Sequence, residues 1–251
     1  MILKKLKFII ITFVLFSCTT THQYNAESDF EYKIIENGTQ VEIIKYIGSN
    51  TNVRIPSKIQ NLPVTIIGNG AFIGGYWNLE EREFVAINQI TNIIIPDSVI
   101  NIGIASFAHN LLTNVIIPKN VKYIENMAFY DNQLTDIILP NSLTHIGEVA
   151  FAFNKITNVV IPNGVIYIGD SAFAGNKITN IIIPDSVAII GGRLFTQNPL
   201  ISLTFGSNIE LLESENKYIL GDDVLIRYLY NNNARAGTYI LENGNWLYKS
   251  E

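Results

Sequence analysis

Apolar and polar residues alternate along this chain on two scales. Within short stretches the period is two, the mark of a strand buried on one face. Over residues 90–206 the whole pattern also returns every 22 residues. In one such unit Leu112, Val115, Ile117, Val121, Ile124 and Phe129 are apolar, and the equivalent positions of the other units are nearly all apolar too. These positions are expected to face inward. The segment Leu112-Thr113-Asn114-Val115-Ile116-Ile117 reads as a strand that Pro118 ends, because proline has no N–H to continue a ladder. Residues 121–124 read as a second short extended piece. Asn126-Met127-Ala128-Phe129 reads as a compact turn, one turn of 3₁₀ or α-helix. A fixed period of this length marks a solenoid, whose units pack only on their neighbours. The expected fold is mainly β, a solenoid of 22-residue turns with short strands and 3₁₀ or helical turns, capped at both ends.

Columns outside the core add detail. Pro96, Pro118, Pro140, Pro162 and Pro184 keep the spacing, as do Phe107, Phe129, Phe151, Phe173 and Phe195, and Asn110, Asn132, Asn154, Asn176 and Asn198. The asparagines fit two roles. One is a buried ladder in which each amide bonds the backbone of the adjacent turn; the other is a solvated left-handed turn. Gly103, Gly147, Gly169 and Gly191 share a column, with Glu125 as the exception. They fit a tight turn before the phenylalanine, where glycine would permit positive φ. Alternation in the proline-ended strand leaves Ile94, Ile116, Ile138, Val160 and Ile182 pointing away from the core, beside Asn92, Asn114, Asp136, Asn158 and Asn180. Such an apolar row is either a contact patch or a device that stabilises the sheet by stacking in register. A second outward column reads Asn101, Tyr123, His145, Tyr167 and Ile189. Its aromatics fit contact anchors or packing along the sheet.

The ends depart from the period. Residues 29–52 read as an N-terminal cap, with strands around Tyr32-Lys33-Ile34-Ile35 and Val41-Glu42-Ile43-Ile44 joined by the two-residue turn signal Asn37-Gly38. The solenoid is placed at 53–206. In its first unit Pro56 and Phe72 are 16 residues apart, against 11 later, with the excess around Asn61-Leu62-Pro63. An insert at about residues 73–87 then holds Tyr76, Trp77, Phe84 and the run Glu80-Glu81-Arg82-Glu83. Inserts in solenoids emerge as loops, and loops carry binding groups; the other reading is an excursion whose aromatics fold back on the core. Residues 207–251 read as a C-terminal cap with a hairpin at Asn243-Gly244.

Residues 1–17 carry Lys4, Lys5 and Lys7 and then an apolar run. That run is about half of the roughly 20 residues a membrane span needs, which is the layout of a secretory signal. Leu15-Phe16-Ser17-Cys18 resembles the bacterial lipobox, and the resemblance implies that Cys18 is lipid-modified and N-terminal after cleavage. The alternative is an ordinary signal peptide with a bystander cysteine, and hence a secreted protein. Residues 18–28 read as a flexible tether. Cys18 is the single cysteine, so neither a disulfide framework nor a thiolate metal site is expected. Without the signal, 14 basic residues face 22 acidic ones, a balance of −8. Such a chain does not suit a nucleic-acid partner.

The three histidines, His22, His109 and His145, stand in no catalytic or metal-binding motif. No catalytic residue, metal or cofactor is expected. Over residues 53–206 the proline-ended strand, the Ile-Gly before Ala71-Phe72, Ala150-Phe151 and Ala172-Phe173, the Ala128-Phe129 pair, and the Asn-x-Leu/Ile-Thr step together resemble the BspA-like, or Treponema pallidum type, subfamily of bacterial leucine-rich repeats. Ser106-Phe107 and Leu194-Phe195 depart from the pattern at the alanine. The resemblance implies a curved leucine-rich-repeat solenoid on a cell-surface or secreted protein, with roles in adhesion and protein binding. The expectation is therefore a monomeric, non-catalytic envelope lipoprotein that binds a host extracellular or envelope protein. The sites would be Ile94, Ile116, Ile138, Val160 and Ile182 with Asn114, Asp136 and Asn158, and secondarily Tyr123, His145 and Tyr167. The alternative is a module for glycan or cell-wall polymer using Asn, Thr and Tyr.

Overall fold

The computed structural model describes residues 24–87, 89–206, 210–211, 236–243 and 245–249. The segments expected to be a signal and a lipobox, Asn88, Gly244 and most of the expected C-terminal cap lie outside the described residues.

Each turn of chain has two strand-bearing sides. One side is a long sheet that starts as an antiparallel hairpin, Phe30–Ile35 with Gln40–Tyr46. Leu62–Ile67 adds parallel to the second of these strands. Asn101–Ile102, Tyr123–Ile124, His145–Ile146, Tyr167–Ile168, Ile189–Ile190 and Glu210–Leu211 then stack on it in parallel, one per turn. The other side carries the proline-ended strands. Asn52–Arg54 pairs with Asn92–Ile94, Asn114–Ile116 with Asp136–Ile138, and Asn180–Ile183 with Ser202–Phe205, all parallel. At the C-terminal end Gly237–Glu242 pairs antiparallel with Ser202–Phe205 and then with Asn245–Lys249, so a hairpin covers the last edge. Covering an edge removes the free N–H and C=O groups that would otherwise template further pairing.

All six positions expected to face inward in the Leu112 unit are buried. Phe72, Phe107, Phe129, Phe151, Phe173 and Phe195 form a continuous stack with ring centroids 5.1–6.0 Å apart. Tyr46 extends it by 5.6 Å into the N-terminal hairpin. Stacked rings of this spacing contribute beyond their buried area.

The asparagine column is a buried ladder. Asn154 donates from Nδ2 to the Phe129 carbonyl of the preceding turn at 3.0 Å and to the Phe151 carbonyl of its own turn at 3.1 Å, and its Oδ1 accepts from the Leu134 N–H at 3.1 Å. Asn110, Asn132 and Asn176 repeat the arrangement and are likewise buried. None of these asparagines has positive φ.

The compact turn before each asparagine differs from the expected 3₁₀ or α-helical turn. Among the described residues 3₁₀ helix occurs only at Glu27–Asp29 and Glu36–Gly38. In the repeats, alternate N–H groups donate to the next turn instead: Met127 to Glu148, Phe129 to Ala150 and Asp131 to Ala152, at 2.8–3.0 Å. A helix would turn these donors back along its own axis. The backbone reconciles both demands by placing two left-handed residues in each turn. Ala105, Met127, Val149, Ser171 and Arg193 form one such column and His109, Asp131, Phe153, Gly175 and Gln197 the other.

The glycine column has a different purpose from the one expected. Gly103, Gly147, Gly169 and Gly191 do not have positive φ. A Cβ on Gly169 would lie 2.5 Å from the Glu148 nitrogen, and one on Gly191 would lie 2.3 Å from the Asp170 nitrogen. Close approach of successive backbones is what excludes a side chain. Glu125, the exception, turns its carboxylate toward Asn101, whose Nδ2 is 3.3 Å away.

Two further local details were not legible beforehand. The N-terminal hairpin turns through four residues, not through Asn37-Gly38 alone, with Glu36, Asn37 and Gly38 all at positive φ. The excess residues after Pro56 form their own small hairpin, Lys58–Ile59 against Leu62–Ile67, closed by Gln60 and Asn61 with φ of 50° and 63°. That pair of left-handed residues is what a type I′ turn needs. At the N-terminal edge, Asn25 is fastened to Arg54. Its N–H donates to the Arg54 carbonyl at 3.0 Å and its Oδ1 accepts the Arg54 N–H at 2.8 Å.

Candidate functional site

Strand alternation sets the first candidate surface. In Asn114–Ile116 and Asp136–Ile138 the middle residue is buried and both neighbours are exposed. Ile116, Ile138 and Val160 are 74–81% exposed, Ile182 is 66% exposed, and Ile94 is less so beside Arg54. Ile116 and Ile138 are direct cross-strand partners, and Ile182 continues into Thr204 and Thr238. The result is one row of branched apolar side chains on a strand face, with the polar row Asn92, Asn114, Asp136, Asn158 and Asn180 beside it. Part of that polar row is self-satisfied. Asn92 Nδ2 donates to Asn52 Oδ1 at 2.9 Å, and Asn158 and Asn180 each donate to the hydroxyl of the preceding threonine.

The second column lies on the long sheet. Tyr123, His145 and Tyr167 are register partners. Their rings sit 5.2 and 6.0 Å apart and tilted by 33° and 32°. His145 Nδ1 also lies 2.8 Å from the Thr144 hydroxyl. Burial, followed by the charges of Glu148 and Asp170, raises the Tyr167 phenol above its ordinary pKa. His145 thus lies between two rings, while Tyr123 and Tyr167 each meet one, and Tyr123 remains 39% exposed.

The insert is a β-hairpin, Gly75–Asn78 paired with Glu83–Ala86. Asn78 Oδ1 organises its tip by accepting the N–H of Glu80 at 3.0 Å. The hairpin is tied to the body where Ile87 donates to Gly74 at 2.7 Å and Gly74 donates to Ala108 at 2.8 Å. Register puts Trp77 opposite Phe84. Phe84 lies over Gly75, where a Cβ would come within 2.2 Å of its ring, and contacts His109 at 5.2 Å. His109 meets Tyr130 edge-on at 5.2 Å, and Tyr130 meets Phe153 at 5.6 Å. His109 Nδ1 is also 2.9 Å from Asp131 Oδ2. Burial, then the Asp131 charge, raises the Tyr130 phenol. The insert thus begins an aromatic ridge that runs over three regular turns. Sequence reasoning found Trp77 and Phe84 but missed Tyr130 and Phe153. Phe153 shares the column of His109, but Tyr130 falls one position ahead of it, so no single column displays the ridge.

Among the described residues no group of three or more His, Cys, Asp or Glu could hold a metal ion, and no helix is long and apolar enough to cross a membrane.

The repeat geometry agrees with comparisons to known proteins. The family described as BspA type leucine rich repeat region matches residues 77–202 in six copies. The chain belongs to the BspA-type leucine-rich repeat family. Among solved structures, this BspA-type chain is similar to the T. pallidum leucine-rich repeat protein TpLRR, at 22% identity and a TM-score of 0.61 over 86% of this chain and 100% of that one. It is also similar to a leucine-rich repeat protein of Bacteroides ovatus, at 24% identity and a TM-score of 0.51, covering 73% of this chain and 56% of that one. The pneumococcal vaccine antigen PcpA aligns at 23% identity and a TM-score of 0.52, over 76% of this chain and 50% of that one. At these identities the structural likenesses speak for the fold. No curated protein matches the chain in sequence.

Proposed function

We propose that this BspA-type chain is a non-catalytic, lipid-anchored protein of a bacterial envelope that binds another protein through its proline-ended strand face. The carrying observation is the row Ile94, Ile116, Ile138, Val160 and Ile182, left in solvent while Val115 and Ile137 on the same strands are buried. A contiguous apolar row on a rigid face, rimmed by polar side chains, is the composition of a protein contact surface. Asn114, Asp136 and Asn158 form the rim.

The test is a binding screen of the chain against immobilised host extracellular proteins and against the bacterium's own envelope proteins. The triple variant Ile116→Ser, Ile138→Ser, Val160→Ser serves as the control. Saturable binding lost in the triple variant, with the melting temperature kept, supports the face; unchanged binding removes it. A glycan array reads the alternative directly. Anchoring through Cys18 predicts labelled palmitate on the wild type and none on Cys18→Ala.

A further inference from the structure

The insert hairpin has features that the fold does not use. Regular turns pass from phenylalanine to asparagine in three residues, whereas this one takes sixteen. The added chain is ordered by strand pairing and by the Asn78 tip contact, yet it leaves Trp77 57% and Leu79 82% exposed. Tyr76, on the opposite hairpin face, is also in solvent. The tip between the strands carries Glu80 and Glu81, and Glu83 opens the second strand. Arg82 is the one basic residue of that run. At the far side of the Phe84–His109 contact stands a further carboxylate, the exposed Asp131.

We infer that this hairpin and its aromatic ridge form a second docking surface, one that takes a lysine- or arginine-bearing segment of a partner protein. Apolar aromatic surface set beside carboxylates suits a long cationic side chain, whose methylene stem lies on the rings while its head meets the acids. The hairpin is already organised, so little ordering entropy would oppose docking. Charge selects among occupants. Anionic lipid headgroups would meet Glu80, Glu81 and Glu83 as like charges. A second copy of this chain would bring an excess of acid of its own. A basic protein segment complements the surface. This surface is separate from the isoleucine row, and its occupant is defined by charge.

The experiment selects a display library of random 12-residue peptides on the immobilised full chain in mild detergent. Enrichment of lysine or arginine next to Leu, Phe or Trp is expected. The selected peptides should bind Trp77→Ser about tenfold more weakly. The variant Glu80→Gln, Glu81→Gln, Glu83→Gln should weaken them similarly and flatten the salt dependence. The isoleucine triple variant should bind them normally, which keeps this inference distinguishable from the sheet reading. Peptides without basic enrichment, or peptides that bind both hairpin variants as well as wild type, would overturn it. So would Trp77-dependent co-sedimentation with phosphatidylcholine–phosphatidylglycerol vesicles.

Discussion

Residue by residue, the turns depend on a few side chains that satisfy backbone groups no neighbour could reach. Asn154 serves two turns at once, so Asn154→Ala leaves the buried Leu134 N–H without its partner. A loss of about 1–3 kcal/mol in denaturant melts is expected, while Asn163→Ala at an exposed position should change stability by less than about 0.5 kcal/mol. Ser106 is the converse case. It occupies the alanine position of its turn, is fully buried, and its hydroxyl has no partner. Ser106→Ala should therefore stabilise the protein by about 1 kcal/mol, read as a higher denaturation midpoint. The asparagine period was plain in the sequence, but its burial was not, because asparagine serves solvated left-handed turns equally well. The left-handed columns were invisible for a related reason. Their occupants, such as Ala105, Met127, Val149 and Arg193, carry no common side-chain signature, since the inter-turn hydrogen bonds alone impose the geometry.

At the scale of the element, the short strands are fixed by the proximity of successive backbones. Gly169 shows the constraint: an added methyl meets the Glu148 nitrogen at 2.5 Å and the Gly147 carbonyl carbon at 2.8 Å, and backbone cannot step aside as a side chain can. Gly169→Ala should destabilise by about 1–3 kcal/mol through overpacking. Gly70→Ala should cost about 1–2 kcal/mol for a different reason, its left-handed φ of 62°, since nothing lies within 4 Å of the added atom. A crystal structure of each variant separates the two causes: a displaced backbone in the first, an unmoved one in the second. Strand positions and their inward faces were legible from alternation and the prolines. The insert's hairpin was not, because Leu79, Glu80, Glu81 and Arg82 form a four-residue connection with none of the usual two-residue turn signals. The second hairpin, at Gln60 and Asn61, hid for the same reason: glutamine is an uncommon occupant of a left-handed turn.

For the whole molecule, stability is a sum over neighbouring turns, and no single turn is indispensable. Removing residues 134–155 joins Gln133 to Ile156 and brings Asn176 within the same register of Phe129 that Asn154 now has. The shortened chain should still melt cooperatively, at a lower temperature, by circular dichroism. Loss of cooperative melting would contradict the nearest-neighbour picture. The architecture was legible because the period is strict over residues 90–206. The aromatic ridge was not, because its members come from different columns. The strictness of the period also bears on folding fidelity. A turn that skipped its neighbour and settled on the next would find phenylalanine opposite phenylalanine and amide opposite carbonyl, so the regular array has no means of counting itself. The irregular first turn supplies the count. Arg54 pairs with Ile94 across a 40-residue excursion, and Gln40–Tyr46 matches Leu62–Ile67 through a register shift. That one asymmetric end is the reference from which every later turn takes its number.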